Sequence, residues 1–298
     1  MKISIITVCY NAEKTIGTAM ESVLRQKQQN VRMFECSNVR NADQLEIEYV
    51  VVDGGSTDGT VALIRDFAER VRAFEHSNIQ NIRTFSFLWL SEKDRGMYDA
   101  INKGIKMATG DVIGILNADD VLAEDDVLAR IARVFECSDC SIDGCYGDIR
   151  FVREMVAGVE RLRGLRTVRY CSGKWFRPWM FRFGTQTAHP STFFRKECFE
   201  KWGEYSLDYG MYGDFELLCR FIWKNKAQMK YLPMCTTVMR VGGASTDGWR
   251  TTLKINQSDL RALKANGCWS CLPFLYSRYL FKVCGFIFRN ASPMPSTD

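Results

Sequence analysis

Four times within the first 120 residues an apolar, β-branched run ends at a polar residue, and the interval between runs is set by helix-like spacing. "ISIITVCY", Ile3 to Tyr10, stops at Asn11, after which Ile16, Met20, Val23 and Leu24 recur at a helical period. "IEYVVVD", Ile47 to Asp53, runs into the turn "GGSTDG"; Thr60 then reads as a helix N-cap, with Ile64, Phe67, Ala68 and Val71 on one face. A third strand around Phe87 to Leu90 precedes "SEKDRG" and a helix from Met97 to Ala108 that stops at Gly110. The fourth run is "VIGILNADD", Val112 to Asp120. Strand and helix alternating in this way predict an α/β fold, a mostly parallel central sheet with helices on both faces. Ligands of such sheets bind beyond the carboxyl ends of the strands. Asn11, Asp53, Asp94 and Asp119 each fall just past a different strand end, so one sheet edge receives four polar side chains.

The bulk numbers narrow the partners. A chain of 298 residues, 46% hydrophobic and 25% charged, has an ordinary globular composition and room for one large α/β domain or two smaller ones. A net charge of +5 favours an anionic ligand or membrane surface but is too weak to argue for nucleic acid. Met1 to Tyr10 is too short an apolar run for a signal peptide, and twelve scattered cysteines then suit a reducing, cytoplasmic setting. Two CxxC pairs, Cys137/Cys140 and Cys268/Cys271, could together supply four zinc thiolates. Neither carries a knuckle glycine and they lie in opposite halves, so ordinary core and surface cysteines are expected.

No run is long and apolar enough to span a bilayer. "CLPFLYSRYLFKVCGFIFR", Cys271 to Arg289, mixes aromatics with Arg278 and Lys282. It fits either a helix lying in a membrane interface, on the inner face of the membrane, or a helix packed on its own domain. The inserts Lys27 to Glu46 and Arg72 to Thr84 are longer than usual connections and read as loop decoration or as contacts to an acceptor or partner. Gly158 to Gly184 is rich in arginine and aromatics, and no clean boundary occurs before about residue 245. The division expected is 1–245 as a catalytic domain and 246–298 as a helical, candidate membrane-interfacial extension.

Paired carboxylates at a strand end suit a hard divalent cation, Mg²⁺ or Mn²⁺, completed by phosphate oxygens. The competing reading of "ADD" is a helix cap, since "DDVLAEDD" could begin a helix. "DGGSTDG" is neither a Walker loop, a dinucleotide fingerprint nor a calcium loop. A carboxylate there repels phosphate, so Asp53 better accepts from a base N–H or a ribose hydroxyl.

"TVCYNAEKTI", "VVVDGGSTDGT", "SEKDRGMYDAINKGIKMATGD" and "LNADD", in this order, resemble family 2 glycosyltransferases of the GT-A fold. The likeness is close over residues 1 to 125 and looser through "HPSTFFR" and "GDFELLCR" to about Arg240. It implies inverting transfer from a nucleotide-sugar donor, usually a UDP-sugar, with a divalent metal, to a glycan or lipid-linked acceptor. Carried over, Asp53 resembles the carboxylate that reads the uracil ring, and Thr7, Tyr10 and Asn11 match the first-strand loop around the nucleotide. Asp94 matches the acidic residue near base and ribose, and Asn102 is grouped with the same donor contacts. Asn117-Ala118-Asp119 stands where the family has DxD, so Asp119 is the implied metal ligand with Asp120 behind it; Asn117 departs from the first Asp. Asp214 resembles the general base, with Glu216 and Asp208 as fallbacks and a helix cap as the bland alternative. His189 matches a recurrent histidine that touches diphosphate or acceptor, or is a core residue. Trp175 to Phe183 is where acceptor contacts are expected, from aromatic stacking and arginine–phosphate pairing.

Two other classes stay in view. A sugar nucleotidyltransferase shares the sheet and acidic ligands but usually carries a glycine-rich basic signature that "TVCYNAEKTI" lacks. A non-catalytic nucleotide-sugar binding module on the same fold would tend to lose one of Asp53, Asp94, Asp119 and Asp214, all of which are present.

Overall fold

The structure, a computed structural model, describes residues 1–26, 45–77, 85–136, 142–153, 167–241 and 248–279. In chain order the first half contains β1 (Lys2–Cys9), α1 (Ile16–Arg25), β2 (Glu46–Asp53), α2 (Thr60–Ser77), β3 (Phe85–Ser91), α3 (Met97–Met107) and β4 (Val112–Ile115). These four strands pair in parallel in the order β3-β2-β1-β4. The two-residue period of the strands decides which helix lies on which face. Ile3 and Ile5 of β1, with Ile47, Tyr49 and Val51 of β2, pack with Ile16, Met20 and Val23 of α1 and Ile64, Phe67 and Val71 of α2. The alternate residues Ile6, Val8, Val50 and Val52 pack with Tyr98, Ile101 and Ile105 of α3. α3 lies very close to the sheet: a Cβ on Gly104 would fall 2.5 Å from Ile6 Cγ2, so no other residue fits there without movement.

The second half widens the sheet. β5 (Val121–Leu122), α4 (Val127–Glu136), β6 (Gly144–Val152), β7 (Thr167–Cys171), β8 (Thr192–Arg195), α5 (Lys196–Trp202), α6 (Gly213–Leu218), β9 (Met229–Arg240) and α7 (Gly248–Ala265) complete the elements, with 3₁₀ turns at Pro178–Phe183, His189–Ser191 and Leu207–Tyr212. β8 joins β4 antiparallel, and the order continues β8-β6-β9-β5, with β7 beside β6. The result is an α/β sheet with a parallel first half and a mixed second half. α7 and the helical residues 272–279 supply Ala262, Leu263 and Leu275 to the core cluster that holds Phe215 and Leu218.

Two local expectations are corrected. The chain after Asp120 enters β5 rather than a helix, and α4 begins only at Val127. Thr60 is not the cap it was expected to be: Asp58 Oδ1 accepts from the Thr60 N–H at 3.0 Å, while the Thr60 hydroxyl accepts from the Ala12 N–H at 2.8 Å. Residues 27–44 and 78–84 of the two inserts, Cys137 and Cys140, residues 158–166, the boundary near 245, and 280–289 of the basic aromatic segment lie outside the described residues. Cys268 is buried and Cys271 half-buried, both as free thiols. Among the described residues no helix is long and apolar enough to cross a membrane.

Candidate functional site

The parallel register brings Cys9, Asp53 and Ser91 side by side at the ends of β1, β2 and β3. Asp53 is fully buried and organises the turn that follows it. Its Oδ2 accepts from the Gly55 N–H at 3.1 Å, the Ser56 N–H at 3.0 Å and the Ser91 hydroxyl at 2.7 Å. Oδ1 accepts from the Ser56 hydroxyl. Burial opposes the charge, but the donors from Ser56, Ser91 and Gly55 outweigh it and hold the carboxyl below its usual range.

The loop after β1 is sewn to that turn. Asn11, at a φ of 50°, accepts from the Thr57 N–H at 2.9 Å, and its own N–H donates to the Ser56 hydroxyl at 2.7 Å. Tyr10 beside it is 64% exposed and free to cover a ligand. Asp94 closes the third side: its Oδ1 accepts from the Gly96 N–H at 2.8 Å. A Cβ on Gly54 would lie 2.3 Å from Asp94 Oδ2, so the glycine is what admits that carboxylate. Loops after three strands thus form one polar cradle with exposed Tyr10 and half-exposed Asp94 at its rim.

Past β4, Asn117 donates through Nδ2 to Asp120 Oδ2 at 2.8 Å, which draws the turn tight. Asp120 is only 1% exposed. Burial first, then the neighbouring Asp119 charge, pushes its carboxyl up to about 7, against the Asn117 amide and Arg240. Asp119 remains half-exposed, with no hydrogen-bond donor on its carboxylate among the described residues. A lone hard-oxygen ligand open to solvent fits a divalent cation whose other ligands come from a diphosphate. No cluster of three or more His, Cys, Asp or Glu able to hold an ion alone occurs among the described residues.

A second group forms at the start of α6. Asp214 Oδ1 lies 3.3 Å from the Tyr98 hydroxyl and Oδ2 accepts from Gln186 Nε2 at 3.1 Å. The Asp214 N–H donates to Tyr98 Oη at 3.0 Å. Tyr98 stacks on Tyr205 with centroids 5.3 Å apart and planes within 12°. Tyr205 Oη meets His189 Nε2 at 2.6 Å. Burial lowers the His189 pKa, partly countered by the Asp214 charge, so the imidazole is held neutral; burial and Asp214 raise both tyrosines. The arrangement is a half-exposed carboxylate fixed by two donors beside a neutral histidine, suited to taking a proton.

Several expected contacts are corrected. Thr7 lies inside β1, wholly buried, and its hydroxyl accepts from Tyr49 at 3.1 Å, so its side chain is engaged within the sheet. Asn102 is likewise closed off: its amide donates to the Tyr205 carbonyl at 2.8 Å and accepts from the Tyr205 N–H at 2.9 Å. Asp120 is sealed behind Asp119 rather than presented to a donor. Glu216 is no free base, because Arg220 grips both its oxygens at 3.0 Å. Ser206 caps the turn by accepting from the Asp208 N–H at 3.3 Å, and the Asp208 carboxylate accepts from the Ser206 hydroxyl at 3.4 Å. Tyr98, Gln186 and Tyr205 were not singled out from sequence; Tyr98 stands inside "SEKDRGMYDAINKGIKMATGD" and Tyr205 just before "GDFELLCR", while Gln186 lies in neither stretch. A cavity of about 430 Å³ opens at the opposite edge of the sheet, lined by Thr109, Asp111, Arg195 and Glu197, away from all these residues.

The family model described as "Glycosyl transferase family 2" matches residues 4–184, more than half of the chain. An uncharacterized glycosyltransferase of Mycobacterium tuberculosis is 26% identical over 221 residues, spanning 73% of this chain and 68% of the relative. A PGL/p-HBAD biosynthesis glycosyltransferase of Mycobacterium bovis is 30% identical over 177 residues, spanning 59% of this chain but only 58% of that protein. Among solved structures, S. aureus TarS superposes with a TM-score of 0.52 at 16% identity, over 91% of this chain and 44% of TarS. The mannosyltransferase PcManGT from Pyrobaculum calidifontis, in complex with GDP-Man and Mn²⁺, gives 0.51 at 17% identity, over 97% and 82% of the two chains.

Proposed function

The chain belongs to glycosyl transferase family 2, and from that premise we propose that it moves a sugar from a nucleotide-sugar donor to a hydroxyl of a glycan or glycolipid acceptor, with inversion and with Asp214 as general base. The observation that carries this reading is the Asp214 group. A carboxylate held by Gln186 and Tyr98, yet half-exposed, is aimed and able to accept the acceptor's proton as its oxygen attacks the anomeric carbon. One base and a single displacement invert that centre. His189, neutral and bonded to Tyr205, lines the same place and can donate to a phosphate or acceptor oxygen.

The donor's nucleoside is assigned to the cradle between the loops after β1, β2 and β3. Asn11 and Ser56 shape it, Tyr10 covers it and Asp94 meets the ribose or base. Asp53 accepts from a base N–H once Ser56 or Ser91 turns away from it. The resemblance favours uridine; the mannosyltransferase relative was solved with a guanosine donor, so both bases belong in any assay. Asp119 would hold a divalent metal, Mn²⁺ or Mg²⁺, together with the diphosphate. Bound there, the metal would neutralise the charge of the leaving nucleotide.

The test is Asp214→Asn, which keeps the shape and removes the base. Sugar transfer should fall by about a thousandfold while nucleotide binding and thermal stability hold. Transfer at the wild-type rate would remove Asp214 from the mechanism, and a product of retained anomeric configuration would remove the single displacement.

A further inference from the structure

The 3₁₀ turn Pro178–Phe183 and the chain after α7 build an aromatic surface that the chemistry at Asp214 does not use. Trp175 is 72% exposed, Trp179 55% and Trp269 63%, and Leu272 lies open beside them in sequence. Two of the tryptophans are linked through a chain of rings, and Trp175 stands three residues before the turn that carries one of them. Trp179 meets Phe183 at 5.9 Å, Phe183 stacks on Phe274 at 4.9 Å, and Phe274 meets Trp269 at 5.5 Å. The Ser270 hydroxyl, donating to the Arg182 carbonyl at 2.5 Å, ties the two segments together. Large exposed indoles in a contiguous set are costly in water and mark a surface that meets something apolar.

Charge points to what that is. Residues 167–183, 219–232 and 263–279 contain ten lysines and arginines and no aspartate or glutamate. The segments touch one another: Arg182 lies over the Trp223 ring at 5.4 Å, Lys226 covers the same ring at 4.5 Å, and Ser172 meets Tyr231 at 3.3 Å. Only Arg220 and Arg278 of the ten turn inward to buried acids, Glu216 and Asp259. The whole chain carries +5, so everything outside these segments is net negative. A positive face studded with tryptophan on an otherwise acidic body complements an anionic, half-apolar layer.

We infer that this face docks on the headgroup layer of an anionic phospholipid bilayer, with Trp175, Trp179 and Trp269 entering the interface and Lys174, Arg177 and Lys226 meeting lipid phosphates. The surface adjoins the proposed base. Phe181, in the same turn as Trp179, packs against Phe215 at 5.6 Å, and Asp214 precedes Phe215. Docking therefore holds Asp214 near the membrane plane, so the acceptor is lipid-linked and comes to the base from the bilayer; that last step rests on the function proposed above.

The experiment is flotation of the full chain with vesicles of pure phosphatidylcholine and with vesicles carrying about 30% phosphatidylglycerol, without donor. Wild type should float with the anionic vesicles and not with the neutral ones. The triple variant Trp175→Ser, Trp179→Ser, Trp269→Ser, which leaves residues 280–298 in place, should lose about tenfold in partitioning. Lys174→Glu with Lys226→Glu should lose a similar factor and keep its melting temperature. Unchanged flotation of the triple variant, equal binding to neutral vesicles, or retention on soluble dextran sulfate without vesicle binding would each overturn the assignment. Nucleotide binding measured in parallel reports on the transferase reading separately, since flotation needs no donor.

Discussion

Tyr98 and Asp214 meet through two hydrogen bonds that join α3 to α6 across 116 residues of chain. The Asp214 N–H donates to Tyr98 Oη at 3.0 Å, and that hydroxyl reaches back to Asp214 Oδ1 at 3.3 Å. One phenol therefore satisfies an N–H in the first turn of α6 and holds the carboxylate beside it. Tyr98→Phe keeps the stack on Tyr205 and removes only the hydroxyl. We expect kcat to fall about fivefold, because the lost hydrogen bond is worth about 1 kcal/mol, while the KM for donor stays put. Steady-state kinetics against donor concentration check this; an unchanged kcat would leave Tyr98 a packing residue alone.

Gly54 offers a sharper steric test. A methyl group there collides with the Asp94 carboxylate at 2.3 Å. Gly54→Ala should push Asp94 outward and destabilise the fold by about 1–3 kcal/mol. Donor affinity should fall further than stability does. Thermal melts paired with nucleotide titration separate the two; equal affinity for the variant would place Asp94 outside the donor site.

At the far edge of the sheet Glu48 is a purely structural carboxylate. It is 2% exposed and accepts from Ser4 Oγ at 2.7 Å, from the Thr109 N–H and hydroxyl at 2.6 Å each, and pairs with Lys2 Nζ at 2.7 Å. Burial raises its pKa, but the Lys2, Thr109 and Ser4 donors lower it more, so the folded pKa lies below the unfolded value of about 4.5. The folded state then binds fewer protons, and this stability is present above that value and lost as pH falls through the folded pKa. Glu48→Gln should cost about 2 kcal/mol at neutral pH and flatten the acid limb of the melting-temperature profile. An acid limb that is unchanged in the variant would contradict the assignment.

How much of this was legible in sequence depends on range. Asn11, Asp53, Asp94 and Asp119 could be proposed from sequence because each stands at or just past the end of a strand whose apolar pattern is local. Thr7 lies inside a run already legible as a strand, and β1 ends at Cys9, one residue short of that run; what the sequence does not show is that Tyr49, 42 residues on, takes up its hydroxyl. Asn102 is engaged at a distance in the same way. Its partner Tyr205 lies 103 residues away, so nothing nearby shows that its amide is already satisfied. Gln186, Tyr205 and the inward turn of Glu216 onto Arg220 are likewise products of tertiary packing. The aromatic run from Trp175 was visible as composition, but its junction with Trp269 required Phe183 to stack on Phe274.

The donor site can be tested directly by calorimetric titration of UDP and GDP, with and without Mn²⁺, into wild type and Asp119→Ala. One nucleotide should bind wild type, more tightly with Mn²⁺, and the variant should stay folded but lose the metal-dependent part. Binding of neither nucleotide to folded wild type, or the same Mn²⁺ enhancement in Asp119→Ala, would contradict this.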